Sequence, residues 1–499
     1  MLPDPVRSIG GAPASRVRAV NQHAVNPRGQ FVLYWMIAFR RPRHNFALDR
    51  AAAWARELRL PLVVLESLRV DYPHASERLH RFVLDGMDDN RRAFAGTPVQ
   101  YYAYVEPSPG AAKGMLATLG SAAALVVTDD YPCFFLPAAV ASAGAQLPVR
   151  LEAVDSNGLI PLSAVPQAYP AAVHFRRFMQ ATLRDHLRDV PVAAPTFGDL
   201  SSMPAGVLNK LAASWPMVSA DWLQKGSAVS ALPIDHRVGP VGFVGGHRAA
   251  ADGLASFVRA RVEVYGEHHS HPDDRGTSRL SPYLHFGHIS SHEIFSAVMS
   301  EEAWSLGRLG PKPTGARAGW WGVRPGAEAF LDQLITWREL GFNTCVKRPG
   351  DYNRFEGLPE WARQTLERHV TDRRVYAYTF EQFERGETHD PLWNAAQREM
   401  LRDGWMHNYL RMLWGKKILE WSAHPREALD TMMGLMDKWC IDGRDPNSYA
   451  GYGWTLGRYD RPWPERPIFG TVRSMSSENT ARKVRVARYL AEGAQLNLL

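Results

Sequence analysis

Between Phe31 and Ser156 the chain alternates short apolar runs with longer amphipathic segments. FVLYWMIAF (31–39), PLVVLESL (61–68), VQYYAYVE (99–106), AALVVTDD (123–130) and VRLEAVDS (149–156) are strand-sized and rich in β-branched and aromatic residues. The intervening stretches 45–58, 76–95, 110–119 and 135–145 carry helical periodicity. Strands apolar on both faces, each followed by a helix, predict a parallel, doubly wound sheet covered on both sides. No GxGxxG follows the first strand, so the usual dinucleotide-binding turn is excluded. Residues 1–30 show neither pattern and read as a flexible lead-in; 31–188 form the α/β domain. From 189 to 246 Pro, Gly and Ser are dense and periodicity is weak, which predicts an interdomain connection with at most a short helix near 207–214. Residues 247–499 are almost wholly helical in pattern, an all-α domain.

Within that second half, THDPLWNAAQREMLRDGWMHNYLRMLWGKKILEW (388–421) is the densest stretch. The Asp403-Gly404 break separates two predicted helices, the second running from Trp405 through Trp421 without proline. Trp414 and Trp421 are seven residues apart, two turns, which places both indoles on one face about 10 Å apart along the axis. Trp393 opens the preceding helix behind a proline. Trp405, Tyr409 and Met412 would make a second stripe at i, i+4, i+7. Two apolar faces of a core helix, or indoles placed for electron hopping beside Arg411, are both compatible with this spacing.

Composition narrows the setting. The 499-residue chain is long enough for two domains, and 45% hydrophobic content is ample for their cores. Sixteen tryptophans exceed an ordinary share. No apolar run has membrane-spanning length, and the N-terminal stretch lacks a hydrophobic signal core. Cys133, Cys345 and Cys440 have no CxxC spacing, which argues for a reducing, cytoplasmic setting with neither a disulfide framework nor a metal site. A formal charge of +7 permits a polyanionic partner without demanding one. GTSRLSPYL (276–284) sets two hydroxyls and an arginine ahead of a predicted helix start, a turn suited to a pyrophosphate but common elsewhere. IDGRDPNSYAG (441–451) is a run of turn formers.

Taken together, DPLWNAAQ, WMHNYLRMLW, KKILEW and DGRDPNSYAGYGW, with GTSRLSPYLHFGHIS upstream, resemble the flavin domain of the class II DNA photolyases in the photolyase/cryptochrome superfamily. The resemblance implies a light-driven deoxyribodipyrimidine photo-lyase acting on UV-damaged DNA, with an FAD-binding helical domain, and a monomer. It assigns FAD contacts to Tyr265, Thr277, Ser278, Arg279, Leu280 and Ser281, to Arg411 and Met436, and to Asp442, Arg444 and Asn447. Trp414, Trp393 and Trp421 match the proximal, medial and distal electron donors, and Tyr378 a tyrosine beside that route. Trp337 and Trp454 match the two tryptophans flanking a flipped-out pyrimidine dimer, with Gln333, Trp405, Asn408, Tyr409 and Met412 around them. The first domain corresponds to the antenna domain, which could carry a deazaflavin, a folate, another flavin or no chromophore. Its basic turn RRPRHNFAL (40–48) reads either as a family feature or as a solvated loop.

Five positions depart from the class II pattern: Trp405 and Asn408 stand where those proteins usually have Lys and Gly, as in the class I enzymes, and three more change the chemistry. Gln333 stands for a glutamate, Met436 for an asparagine near flavin N5, and Glu293 for an arginine. Gln can donate a hydrogen bond to a lesion carbonyl but cannot share a proton with it. A cyclobutane pyrimidine dimer is the expected lesion. The departures leave open a non-repairing, cryptochrome-like photoreceptor, or a photolyase with altered lesion specificity.

Overall fold

The computed structural model describes residues 9–224 and 226–495. Six strands form one sheet: β1 (Val17–Ala19), β2 (Phe31–Met36), β3 (Leu62–Leu68), β4 (Gln100–Val105), β5 (Ala123–Asp129) and β6 (Leu151–Val154), in spatial order β1-β6-β5-β2-β3-β4. All pairs are parallel except β1 with β6. The helices α1 (Phe46–Leu58), α2 (Glu77–Phe94), α3 (Met115–Ala122) and α4 (Leu136–Gln146) follow β2, β3, β4 and β5. The pleat divides the strand residues between two faces. Phe31, Leu33, Val63, Leu65, Tyr102 and Val126 pack with Met115 and Leu119 of α3 and Ala143 of α4 in one buried cluster. This is the doubly wound architecture the alternation predicts.

Strand order reverses between β2 and β5, where such sheets usually bind ligands. Here the carboxylate of Asp129, at the end of β5, accepts from the backbone N–H groups of Ile37, Ala38 and Phe39 and from the Tyr34 hydroxyl. The basic turn is locked from both sides. The Asn45 carbonyl oxygen caps α1 through Ala47 and Leu48 N–H, and its amide donates to Phe39 O and Arg41 O. Arg40 pairs with buried Glu66 at 2.9 Å, and Arg41 donates to Gly287 O and Ser156. Both guanidinium groups are buried and partnered, so the solvated-loop reading of this turn is wrong.

The expected lead-in also needs correction. Val17, Arg18 and Ala19 pair with Val154, Ala153 and Glu152, giving β6 an antiparallel neighbour and covering an otherwise open edge. Three residues are too few for an alternation to register.

Two compact units emerge. The first contains the described residues up to Pro166, with Leu183–Leu254 and Leu280–Ala297; the second contains Gln167–Thr182, Ala255–Arg279 and residues from Val298 onward. The expected connection 189–246 therefore belongs within the first unit, where it forms helices Asn209–Ser214 and Ala220–Gln224. Conversely, 167–182 joins the second, through a buried pair between Arg176 and Asp332 at 2.8 Å. Among the described residues no helix is long and apolar enough to cross a membrane.

Candidate functional site

The second unit brings the predicted indoles together. Asp390 caps the helix Pro391–Asp403 by accepting from Leu392 and Trp393 N–H, which fixes Trp393 in its first turn. Trp414 and Trp421 lie on the helix Asn408–Trp421. Trp393 and Trp414 are stacked, with rings 5° from parallel and centroids 6.3 Å apart. Trp393 meets Trp421 edge-on at 5.8 Å, and Trp421 meets Tyr378 edge-on at 5.4 Å. All three indoles are buried, whereas Tyr378 is half-exposed. Each inner N–H is satisfied: Trp393 Nε1 donates to Trp414 O, and Trp414 Nε1 to Gln397 Oε1. The arrangement is a continuous aromatic path from the buried face of the central helix to Tyr378.

The same helix carries Arg411, whose guanidinium makes two 2.9 Å bonds to the Asp442 carboxylate and a third to Met406 O. Burial opposes its charge, but Asp442 more than compensates, and its pKa is raised. Asp442 lies in the turn-rich loop, as expected. Beside Arg411 stand two groups that the sequence did not single out. His407 is buried with neither ring nitrogen bonded, and burial lowers its pKa to about 4, with His269 and Arg411 adding repulsion. The Tyr452 hydroxyl is likewise buried without a partner among the described residues. Unpaired buried polar groups are expensive unless a ligand or solvent meets them. A neutral imidazole, a phenol and a paired guanidinium are a donor set suited to a flat heterocycle bearing carbonyl and ring-nitrogen acceptors. The residues present therefore fit a flavin.

The other candidate cofactor positions divide. Tyr265 is buried, stacked on His269 at 4.6 Å and edge-on to Phe330. Thr277 and Ser278 follow Gly276 in an irregular loop, and Arg279, with a left-handed φ of 57°, lays its guanidinium 4.9 Å over the Trp405 ring. Leu280 and Ser281 belong to the first unit. The helix opened there, Ser281–His285, has only five residues. That corrects the helix-terminus argument, because so short a helix projects little dipole and Gly287 (φ 70°) ends its course. Arg444 donates to Asp437 O and Ile441 O and so braces its own loop. Asn447 is exposed on the helix Pro446–Thr455, and Met436 is buried with its sulfur 3.6 Å from Cys440 Sγ.

On the expected substrate side, Asp332–Trp337 winds as a π-helical turn, a wider coil common at functional sites. Gln333 and Trp337 are its only half-exposed residues, four apart and so on one face. Trp454 is half-exposed on Pro446–Thr455. Beneath it lies Lys416, wholly buried, its Nζ 4.9 Å from the indole centroid and 2.5 Å from Thr455 O. Burial pushes the Lys416 pKa down to about 7. The only sequence signal for it was a lysine pair inside an otherwise apolar helix.

One stripe fails. Gly404 takes a left-handed φ of 66°, residues 405–407 form an irregular connector, and the helix starts at Asn408. Trp405 is therefore not on the helix with Tyr409 and Met412; it is buried in the connector under Arg279. Asn408 is exposed at the helix start, while Tyr409 and Met412 are half-buried. Glu293 lies in the first unit and pairs there with Arg43, so its carboxylate already has a partner.

Searches with family models find no match. Known proteins do match over nearly the whole chain. It is 34% identical over 490 residues to the deoxyribodipyrimidine photo-lyase of Methanothermobacter thermautotrophicus, covering 96% of this chain and 97% of that one. The protein of the same name from Oryza sativa subsp. japonica is 33% identical over 96% of this chain and 90% of its own. That from Potorous tridactylus is 30% identical over 95% and 83%. The crystal structure of a bacterial class III photolyase from Agrobacterium tumefaciens shares the fold, with a TM-score of 0.64 over 93% of this chain and 86% of that one at 17% identity.

Proposed function

The chain belongs to the deoxyribodipyrimidine photo-lyase family, within the photolyase/cryptochrome superfamily, and from that premise we propose that it is a class II-type, FAD-dependent enzyme that repairs cyclobutane pyrimidine dimers in UV-damaged DNA. The observation that carries the reading is the path Trp414–Trp393–Trp421 ending at Tyr378, beside a buried polar site that fits a flavin. FAD, when bound, would absorb the light and supply the electron that opens the dimer.

The chain's own residues supply the rest. Arg411, held by Asp442, places a fixed positive charge in the site and favours an anionic ligand electrostatically. His407 and Tyr452 offer buried polar atoms for the ring edge, and Tyr265 an aromatic surface. Trp337 and Trp454 give flat walls for a base pair extruded from the helix stack, and a damaged pair is the cheaper one to extrude. Gln333, on the face of Trp337, can donate its amide to a lesion carbonyl where negative charge builds. The three indoles serve a different step, returning electrons from outside to keep the cofactor reduced. Antenna binding of a deazaflavin or folate in the first unit belongs to the same reading.

Trp414→Phe tests it. Light-driven reduction of the cofactor with external reductant present should be lost, while repair by chemically reduced protein should persist. Unchanged photoreduction would remove Trp414 from the path. Gln333 and Met436, in place of Glu and Asn, favour a second reading, a non-repairing photoreceptor; it keeps the indole path and loses repair.

A further inference from the structure

The aromatic path does not stop at an isolated tyrosine. The Tyr378 hydroxyl lies 2.6 Å from His389 Nδ1, and the His389 backbone N–H donates to the same oxygen at 3.0 Å. In the tautomer with its proton on Nε2, the imidazole presents Nδ1 as the acceptor of the phenolic proton. His389 is held in place by its neighbours. It meets Trp421 edge-on at 5.2 Å and stacks on Tyr376 with centroids 3.5 Å apart and rings 17° from parallel. It also immediately precedes Asp390, the residue that caps the Trp393 helix. Tyr376 is 45% exposed.

We propose that Tyr378 and His389 form the proton-coupled terminus of the electron path, with stacked Tyr376 as its exit to solvent reductants. The inference rests on the flavin and indole reading above. The oxidant is a photo-excited, oxidised flavin, and the hole it leaves moves outward to Trp421 as an indole radical cation. Tyr378 then gives one electron to Trp421, restoring the neutral indole, and gives its phenolic proton to His389 Nδ1. The products are a neutral tyrosyl radical and an imidazolium. An external one-electron reductant returns the electron to Tyr378 by way of Tyr376, and the proton passes back from His389.

Two features give the step its direction. Lys417 holds its ammonium 5.4 Å from the Trp421 ring centroid, and the repulsion disfavours positive charge there, although Glu420, 2.9 Å from the same ammonium, offsets part of it. When the phenol loses its proton as it is oxidised, Trp421 returns to neutrality beside Lys417 and the positive charge passes with the proton to His389. The proton needs an acceptor already in contact, which is what the 2.6 Å bond provides.

The test is flash photolysis of the oxidised holoprotein, followed by transient absorption and by electron paramagnetic resonance of the trapped radical, in H2O and D2O. Wild type should form a neutral tyrosyl radical, and its appearance should slow about twofold or more in D2O. Tyr378→Phe should leave the radical on Trp421 with no isotope effect. His389→Phe, which preserves a ring against Tyr376 but removes the acceptor, should lower the tyrosyl yield about tenfold. Added imidazole should restore that yield in His389→Gly, which a merely structural role would not allow. A Trp421 radical in wild type that never passes to a tyrosine overturns the proposal while leaving the indole path intact. So does tyrosyl formation that is equally fast in His389→Phe and insensitive to D2O. No indole radical at all overturns the underlying reading.

Discussion

Replacing Lys416 with Met should stabilise the protein at neutral pH and flatten its stability against pH. Lys416 is completely buried, its hydrogen-bond acceptor among the described residues is Thr455 O, and burial outweighs the attraction of Asp460, which exceeds the repulsion of Arg473. Its pKa falls from 10.5 to about 7 on folding, a differential of about 5 kcal/mol at 1.36 kcal/mol per unit. The sign follows from proton counting. Between pH 7 and 10.5 the unfolded chain holds this proton and the folded chain has largely released it, so stability rises with pH across that window. From pH 7 to 9 the gain from this residue is about 2 kcal/mol. Lys416→Met keeps the stem's volume and loses the amine and one hydrogen bond, so at pH 7 it should be more stable by about 3 kcal/mol. Urea unfolding of both proteins at pH 7, 8 and 9 measures this, and the difference between them cancels every other titrating group. Equal pH slopes would refute the argument, as would a Met variant several kcal/mol weaker at pH 7; either would mean the ammonium is charged and well paired.

Arg411→Leu leaves Asp442 buried without its partner and should lose about 3 kcal/mol of stability together with most bound flavin; full flavin content and unchanged melting would contradict this. Gly287→Ala places a Cβ 1.9 Å from Ala38 O at a backbone φ of 70°, so it should lose about 2 kcal/mol or more, read as a lower melting temperature. Gln333→Glu restores a group able to share a proton with the lesion and should raise repair per absorbed photon; an unchanged or lower yield would remove Gln333 from the lesion contact.

The sheet was legible because its strands are long, apolar on both faces and separated by helical segments, the first of them capped by Asn45. Asn45 and the five runs from Phe31 to Ser156 lie within two or three residues of the observed boundaries. Val17–Ala19 was not legible, since a three-residue edge strand owes its pairing to the exposed side of β6 rather than to its own pattern. The indole path was visible because seven-residue spacing on a helix survives any context. The Trp405 stripe failed because the Asp403-Gly404 break was followed by three non-helical residues, which sequence periodicity cannot count. Lys416, His407, Tyr452 and His389 were hidden for another reason. Their significance lies in burial, in missing partners or in contacts with residues distant along the chain, none of which a local pattern carries.

The central claim, repair of a pyrimidine dimer by this chain, is tested most directly by light. The purified protein, with its flavin chemically reduced, is mixed with an oligonucleotide containing a cyclobutane thymine dimer and illuminated while the absorbance of restored thymine is followed. The account predicts light-dependent recovery that is absent in the dark and persists in Trp414→Phe. No recovery from a protein that binds flavin and photoreduces through its indoles would contradict it and leave the photoreceptor reading in its place.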